Sequence, residues 1–341
     1  MSFDTGCREV MTVADDEVVV FAGTTSRTYN ELRPDSEVTL DGITLRTLPR
    51  RGELLCRFAT VNDVHFGETV CGLIGGTEIG PVFRSAEGDP PYPEVMSGGA
   101  VREMAAIDPE AVIVKGDLTC DGTDAQYRRF LEVYGEAFGD RLLHVRGNHD
   151  SYHGGTAGAW PWQEIELPGV RVALLDTSRE GRANGTLSED QIEWLDELAS
   201  RSDRPLMVMG HHQIWNPGID PRVENFFGLE PDVSEALIEV VARRRSIVGY
   251  FAGHTHRNRR QSVPATGAVP YVEVGAVKDY PGTWAEYRVY EGGILQVDRR
   301  TSSPSALAWT EQTRHMFEGA YAEYAFGSLS DRCFLIETTR G

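Results

Sequence analysis

Five short apolar runs each end in a polar cluster of metal-ligand type, and that pairing limits the folds open to the chain. Phe58–Val61 runs into Asn62-Asp63-Val64-His65, and Ala111–Lys115 into Gly116-Asp117. Leu142–Val145 leads to Arg146-Gly147-Asn148-His149-Asp150. Pro205–Met209 leads to Gly210-His211-His212, and Ile247–Ala252 to Gly253-His254-Thr255-His256. Short, near-continuous apolar runs read as strands buried on both faces. Helical patterns fill the gaps. One runs from Thr123 to about Phe138. Ser188-x-x-Gln191 is a capping box for a helix to about Ser200, and Asp232-x-x-Glu235 resembles another, to about Arg244. Strands return over 269–297. The alternation predicts an α/β fold, in which ligands bind where the carboxyl ends of strands converge.

Taken singly, each cluster has an ordinary reading. Gly-Asp after a strand is a turn, and one Asp-x-His or His-His is a hydrogen-bonded pair. Together they hold six of the nine histidines, all at strand ends, with glycine freeing the backbone where rings must crowd. Imidazole and carboxylate with one amide and no thiolate suit Mn, Fe, Zn or Co. The candidates outnumber one tetrahedral site, and two ions sharing a carboxylate would absorb them all.

Asp-x-His, Gly-Asp, Gly-Asn-His-Asp, His-His and Gly-His-x-His, in this order, resemble the calcineurin-like metallophosphoesterases. The resemblance runs from about Phe58 to Val297 and is greatest to class III cyclic-nucleotide phosphodiesterases and glycerophosphodiesterases. It implies a four-layer α/β/β/α sandwich with a small N-terminal β-rich appendage. It implies two divalent or trivalent metal ions: Asp63, His65 and His256 on the first, Asn148, His211 and His254 on the second, and Asp117 on both. His149 would face the substrate, with Asp150 counted beside it as catalytic. Asp150 and His212 would also stand behind the ligands and fix their orientation. A hydroxide shared by the ions would attack phosphorus in line. Two departures stand out. Cys120 sits where many relatives have an Asp that orients the substrate-facing His, and Gln213-Ile214-Trp215 follows His-His where relatives have Pro.

The remaining chain divides into a β-rich segment 1–55, a catalytic domain 56–300 and a helical cap 301–341. Val18–Phe21 reads as a strand, and Val38–Leu45 as a hairpin turning at Asp41-Gly42. Tyr29-x-x-Leu32-x-Pro34 is similar to the corner of fibronectin-type-III sandwiches. Residues 75–99, rich in Gly and Pro, read as a long loop. Tyr152, Trp160, Trp162, Trp215, Phe226 and Phe227 lie in loops beside the motifs. They either wall a base-binding site, with Tyr152 and Trp215 joining Asn148 and His149 as substrate contacts, or pack the loops. Arg146, Arg257 and Lys278 either touch phosphate or are solvated.

The charge count of 33 basic against 52 acidic residues, net −19, disfavours an extended nucleic-acid footprint. It leaves room for a small phosphate ester as partner, since bound cations make one local positive spot. A homo-oligomer stays open. The start Met1-Ser2-Phe3-Asp4-Thr5 has no basic, apolar leader pattern, and no apolar stretch reaches the ~20 residues of a membrane helix. Five scattered cysteines without a Cys-x-x-Cys pair fit reduced thiols and a cytoplasmic setting. The expected function is hydrolysis of small phosphodiesters, cyclic nucleotides or similar. The alternatives are an acid-phosphatase-like phosphomonoesterase and an inactive metal-binding scaffold.

Overall fold

The early strands obey their turn chemistry. β1 (Glu9–Val13), β2 (Val18–Ala22) and β3 (Thr25–Tyr29) form an antiparallel sheet, and β4 (Glu37–Leu40) and β5 (Ile43–Arg46) form the hairpin at Asp41-Gly42. The computed structural model describes residues 8–338, so Cys7 and the reading of Met1–Thr5 fall outside the described residues.

Two six-stranded sheets follow. The first joins β6 (Leu54–Val61), β9 (Val112–Lys115) and β10 (Leu142–Val145) in parallel. It continues antiparallel through β17 (Thr283–Tyr290), β18 (Gly293–Arg300) and β19 (Cys333–Ile336), in the order β10-β9-β6-β17-β18-β19. The second holds β12 (Val170–Leu175), β13 (Leu206–Met209), β14 (Ile247–Ala252) and β16 (Pro270–Glu273) in parallel. Antiparallel β11 (Trp162–Leu167) and β15 (Arg259–Ser262) lie at its edges. β7 (Val70–Ile74) and β8 (Thr77–Arg84) make a separate hairpin.

Side-chain alternation explains the layers. Cys56 and Phe58 of β6, with Tyr287 of β17, face Met207, Met209 and Phe251 of the second sheet, and Phe58 stacks on its neighbour Tyr287 at 4.7 Å. Ala59 and Val61 face outward onto Ala100 and Met104 of the helix Tyr92–Ala106 and onto Phe130 and Tyr134. Beyond the second sheet, Leu206 and Val208 pack on Leu195 and Leu198 of the helix Glu189–Arg201 and on Leu237 and Val241 of the helix Pro231–Arg243. Each buried Leu or Phe contributes roughly 1.5–3 kcal/mol. The result is the α/β/β/α order, with the carboxyl ends of both parallel sets at one edge.

Several expectations are corrected. Residues 75–99 are not one loop: they hold all of β8 and the start of the helix Tyr92–Ala106. Pro93 lies in its first turn, where a missing N–H costs little. Ser188 caps its helix as expected, but Glu230, not Asp232, precedes the next one, with no side-chain cap. Glu235 instead pairs with Arg222. β11 and β12 form an additional antiparallel pair that turns at Pro168-Gly169. The segment 301–341 has the helices Pro304–Thr313 and Ala320–Phe326 and also contributes β19 to the first sheet. Among the described residues no helix is long and apolar enough to cross a membrane.

Candidate metal centre

The loops after β6 and β9 run side by side. Asp63 N–H donates to Gly116 O at 3.1 Å, and Val64 and His65 N–H both donate to Asp117 O. This sets Asp63 next to Asp117. The turn after β10 delivers Asn148 and His149, whose N–H donates to Asp117 Oδ1 at 2.9 Å. From the second sheet, β13 delivers His211 and His212, and β14 delivers His254 and His256. His254 N–H lies 3.2 Å from both oxygens of Asp63.

The side chains interlock. Within 4.8 Å of one another lie ligand atoms of Asp63, His65 and His256; of Asp63, Asp117 and His211; of His65, Asp117 and His149; and of His211, His212 and His254. Asn148 Oδ1 is 3.2 Å from His211 Nε2. The backbone bends sharply to achieve this. Asp63, His65, Asp117, His254 and His256 all take positive φ, from 48° to 68°. That region costs a residue with a Cβ of order 1–3 kcal/mol, and such strain gathers at functional sites. Glycines leave the room: a Cβ on Gly116 would stand 2.5 Å from His211 Nδ1, and one on Gly147 2.2 Å from Asp117 Oδ1.

The rings are aimed by their outer nitrogens. His211 Nδ1 donates to Lys115 O at 2.8 Å and turns Nε2 to Asp117 Oδ2 at 3.3 Å. His212 Nδ1 meets Thr177 Oγ1 at 2.8 Å. His65 Nδ1 faces Glu68 and His256 Nδ1 faces Asp279, each at 3.4 Å. His149 Nδ1 donates to Cys120 O at 2.8 Å. The backbone carbonyl thus supplies the orienting partner that the Cys120 departure removes as a side chain.

Charge is concentrated here. Burial opposes ionisation of Asp117, but His211 and His149 outweigh it and hold the carboxyl well below its usual range. Burial likewise opposes a proton on His256 and His211. Asp63 and Asp279 raise His256 to about 10, and Asp117 raises His211 to about 9. Burial, with Lys278 and His149, lowers His65 to about 4, and burial with His211 lowers His254 to about 3. Buried Nε2 atoms of His65, His212 and His254 have no hydrogen-bond partner. Lone pairs without donors, beside buried carboxylates, are the donor set of a cation site. The residues fit metal ions.

The structure reassigns several side chains. Asp150 accepts from Leu118 N, Thr119 N, Thr119 Oγ1 and Gly147 N at 2.6–3.0 Å, so it pins the Asp117 loop from beneath and has no free oxygen face for substrate. Trp215 is 5 % exposed, with its indole donating to Pro221 O and its ring under Arg222. It packs its own loop and is not placed as a substrate contact. Trp162 stacks on Trp194. Tyr152 stays at the site: its hydroxyl accepts from Asn148 Nδ2 at 2.7 Å and its ring meets His149. Phe227, 55 % exposed, lies 4.1 Å from the His254 ring. None of the three candidate phosphate cations is simply solvated. Arg146 pairs with Asp176, Arg257 with Glu273, and Lys278 with Glu68. Glu68 and Asp279 belong to no motif, and Lys115 only closes the strand run before Gly116-Asp117. Lys115 Nζ donates to Asn62 Oδ1 at 2.8 Å behind Asp63.

The model of the calcineurin-like phosphoesterase family matches residues 56–258, more than half of the chain. The chain belongs to that family. Within this phosphoesterase family it is 28% identical over 154 residues to a probable cyclic nucleotide phosphodiesterase of Synechococcus, covering 44% of this chain and 58% of that protein. It is 29% identical over 164 residues to a glycerophosphodiester phosphodiesterase of Enterobacter lignolyticus, 43% of this chain and 56% of the relative. The chain therefore spans less than two thirds of these relatives' length. A dimetal phosphatase from Danio rerio superposes with a TM-score of 0.56 at 17% identity, covering 73% of this chain and 97% of that one. At that identity the likeness shows the fold.

Proposed function

We propose that the protein is a dinuclear metal-dependent phosphodiesterase that hydrolyses small phosphodiesters, cyclic nucleotides or similar. The observation that carries this reading is the convergence of five strand-end clusters on Asp117, with five candidate ligands in left-handed backbone. Asp63, His65 and His256 would hold one ion, Asn148, His211 and His254 the other, and Asp117 both, the ions being Mn, Fe, Zn or Co. Ions bound there supply Lewis acidity toward a phosphoryl oxygen and lower the pKa of water.

The chain's own residues do the rest. His149 has Nδ1 occupied by Cys120 O, so its Nε2 carries a proton only in the imidazolium form. In that form it donates to a phosphate oxygen or to the leaving oxygen. Tyr152 fixes the Asn148 amide so that Oδ1 turns inward. Tyr152 beside His149 and Phe227 beside His254 offer aromatic surface at the clusters, which suits an aromatic base. The net charge of −19 favours small substrates over nucleic acid. The named activities of the phosphodiesterase relatives support a diester substrate. The unit 56–300 is the proposed catalytic domain, and the four described thiols, all free, suit a cytoplasmic setting.

The test is a substrate panel with Mn, Fe and Zn in turn: bis(p-nitrophenyl) phosphate, cyclic nucleotides, glycerophosphodiesters and nucleotide monophosphates. Turnover of diesters above monoesters is expected. Faster monoester turnover would favour the phosphatase alternative, and no turnover with bound metal would favour a scaffold.

A further inference from the structure

Two carboxylates and an ammonium that no motif contains stand behind one side of the metal group. His65 points Nε2 at Asp117 Oδ2, 3.3 Å away, and its Nδ1, which makes no hydrogen bond, lies 3.4 Å from Glu68 Oε2. His256 repeats the arrangement, with Nε2 3.5 Å from Asp63 Oδ1 and Nδ1 toward Asp279 Oδ2. A carboxylate at the outer nitrogen keeps the proton there, leaves the inner lone pair free and makes that lone pair more basic.

Lys278 Nζ ties the two carboxylates together, 2.5 Å from Glu68 Oε2 and 3.9 Å from Asp279 Oδ2. Lys278 and Asp279 are 5% and 2% exposed, and the Glu68 side chain 17%. Two carboxylates against one ammonium leave one negative charge behind the rings of His65 and His256. Excess buried charge is costly unless a cation answers it. The triad is held from the C-terminal segment: Tyr321 Oη donates to Asp279 Oδ1 at 2.6 Å, and Trp309 Nε1 donates to Lys278 O at 2.9 Å. Across the cluster, the ligand His211 is backed by a neutral carbonyl, that of Lys115.

We propose that Glu68, Lys278 and Asp279 form a positioning triad that aims His65 and His256 and gives the Asp63 side the higher affinity for a divalent cation. The inference rests on reading the cluster as a cation site. It places the Tyr321 helix in the working parts of the site, beyond the span that the family model matches.

The full-length apo protein is titrated with Mn²⁺ by calorimetry, as wild type and as Glu68→Gln and Asp279→Asn. Glu286→Gln, a buried charge paired with Arg288 and Arg299, is the control. The wild type should bind in a tight and a weak step. Each triad variant should weaken the tight step about 10–100-fold and leave the weak step within about twofold, and the control should change neither. Circular dichroism verifies folding. If a variant fails to fold, Tyr321→Phe replaces it, removing only the hydroxyl on Asp279, and should weaken the tight step alone. Unchanged tight binding in folded variants, or equal weakening of both steps, overturns the triad. A wild type that binds no Mn²⁺ overturns the cation-site reading itself.

Discussion

The two sides of the metal group both offer a pair of imidazoles, but with different companions and different support. On the Asp63 side, His65 and His256 lean on Glu68 and Asp279, buried anions joined by Lys278. On the Asn148 side, one ligand is a neutral amide, and His211 leans on the Lys115 carbonyl. Imidazoles are therefore not interchangeable here. Their strength as ligands depends on what stands at the nitrogen that does not face the cluster. If the proposed triad acts as inferred, the anionic side would hold a cation more tightly than the neutral side.

Removing what the two sides share is the largest perturbation. Asp117→Ala should cut kcat/KM by ~10³-fold or more and lower the metal content of both sides. Retained activity would end its bridging role.

Separate removal of each side sharpens the contrast. His256→Ala should lose the tight Mn²⁺ step and His211→Ala the weak one, each at a cost of about 10²-fold or more in turnover. Calorimetric titration reads the affinities, and the reverse assignment would break the comparison. His149→Ala belongs to neither side. It should slow turnover roughly 10²-fold with both ions retained, and loss of metal would make it a ligand.

The smallest effect is on the stability of the metal-free protein. His211 and His256 have folded pKa values raised above the unfolded value. Their contribution is complete below about 6.5 and is lost as pH climbs through about 9 to 10. His65 and His254 have lowered values, so their contribution is lost on acidification from about 6.5 toward 4 and 3. Melting temperature without metal should peak near neutrality and fall on both limbs. Saturating Mn²⁺ should flatten the alkaline limb, because cations replace the two protons. A metal-free melting temperature that does not change from pH 6.5 to 10 would contradict these charges.

Asp63, His65, Asp117, Asn148, His211, His254 and His256 were legible because each follows a buried strand, where local pattern and chemistry coincide. The strained backbone even has a trace in Gly116, Gly147 and Gly253. Glu68 and Asp279 were not legible, and Lys278 read only as a phosphate contact or a solvated cation, because single charges in polar loops acquire meaning only when the fold joins positions 210 residues apart. Asp150 looked catalytic because it adjoins His149, yet its four donors come from three other residues of the fold. The helix Tyr92–Ala106 was masked by Pro91, Pro93 and the pair Gly98-Gly99. Gly99 is there for contact: a Cβ would stand 2.5 Å from Thr301 Cγ2.

Anomalous scattering from a crystal of the Mn²⁺-loaded protein bears most directly on the central claim. Two peaks should flank Asp117, one among Asp63, His65 and His256 and the other among Asn148, His211 and His254. No peak at Asp117 in a metal-saturated crystal, or peaks only at other residues, would contradict it.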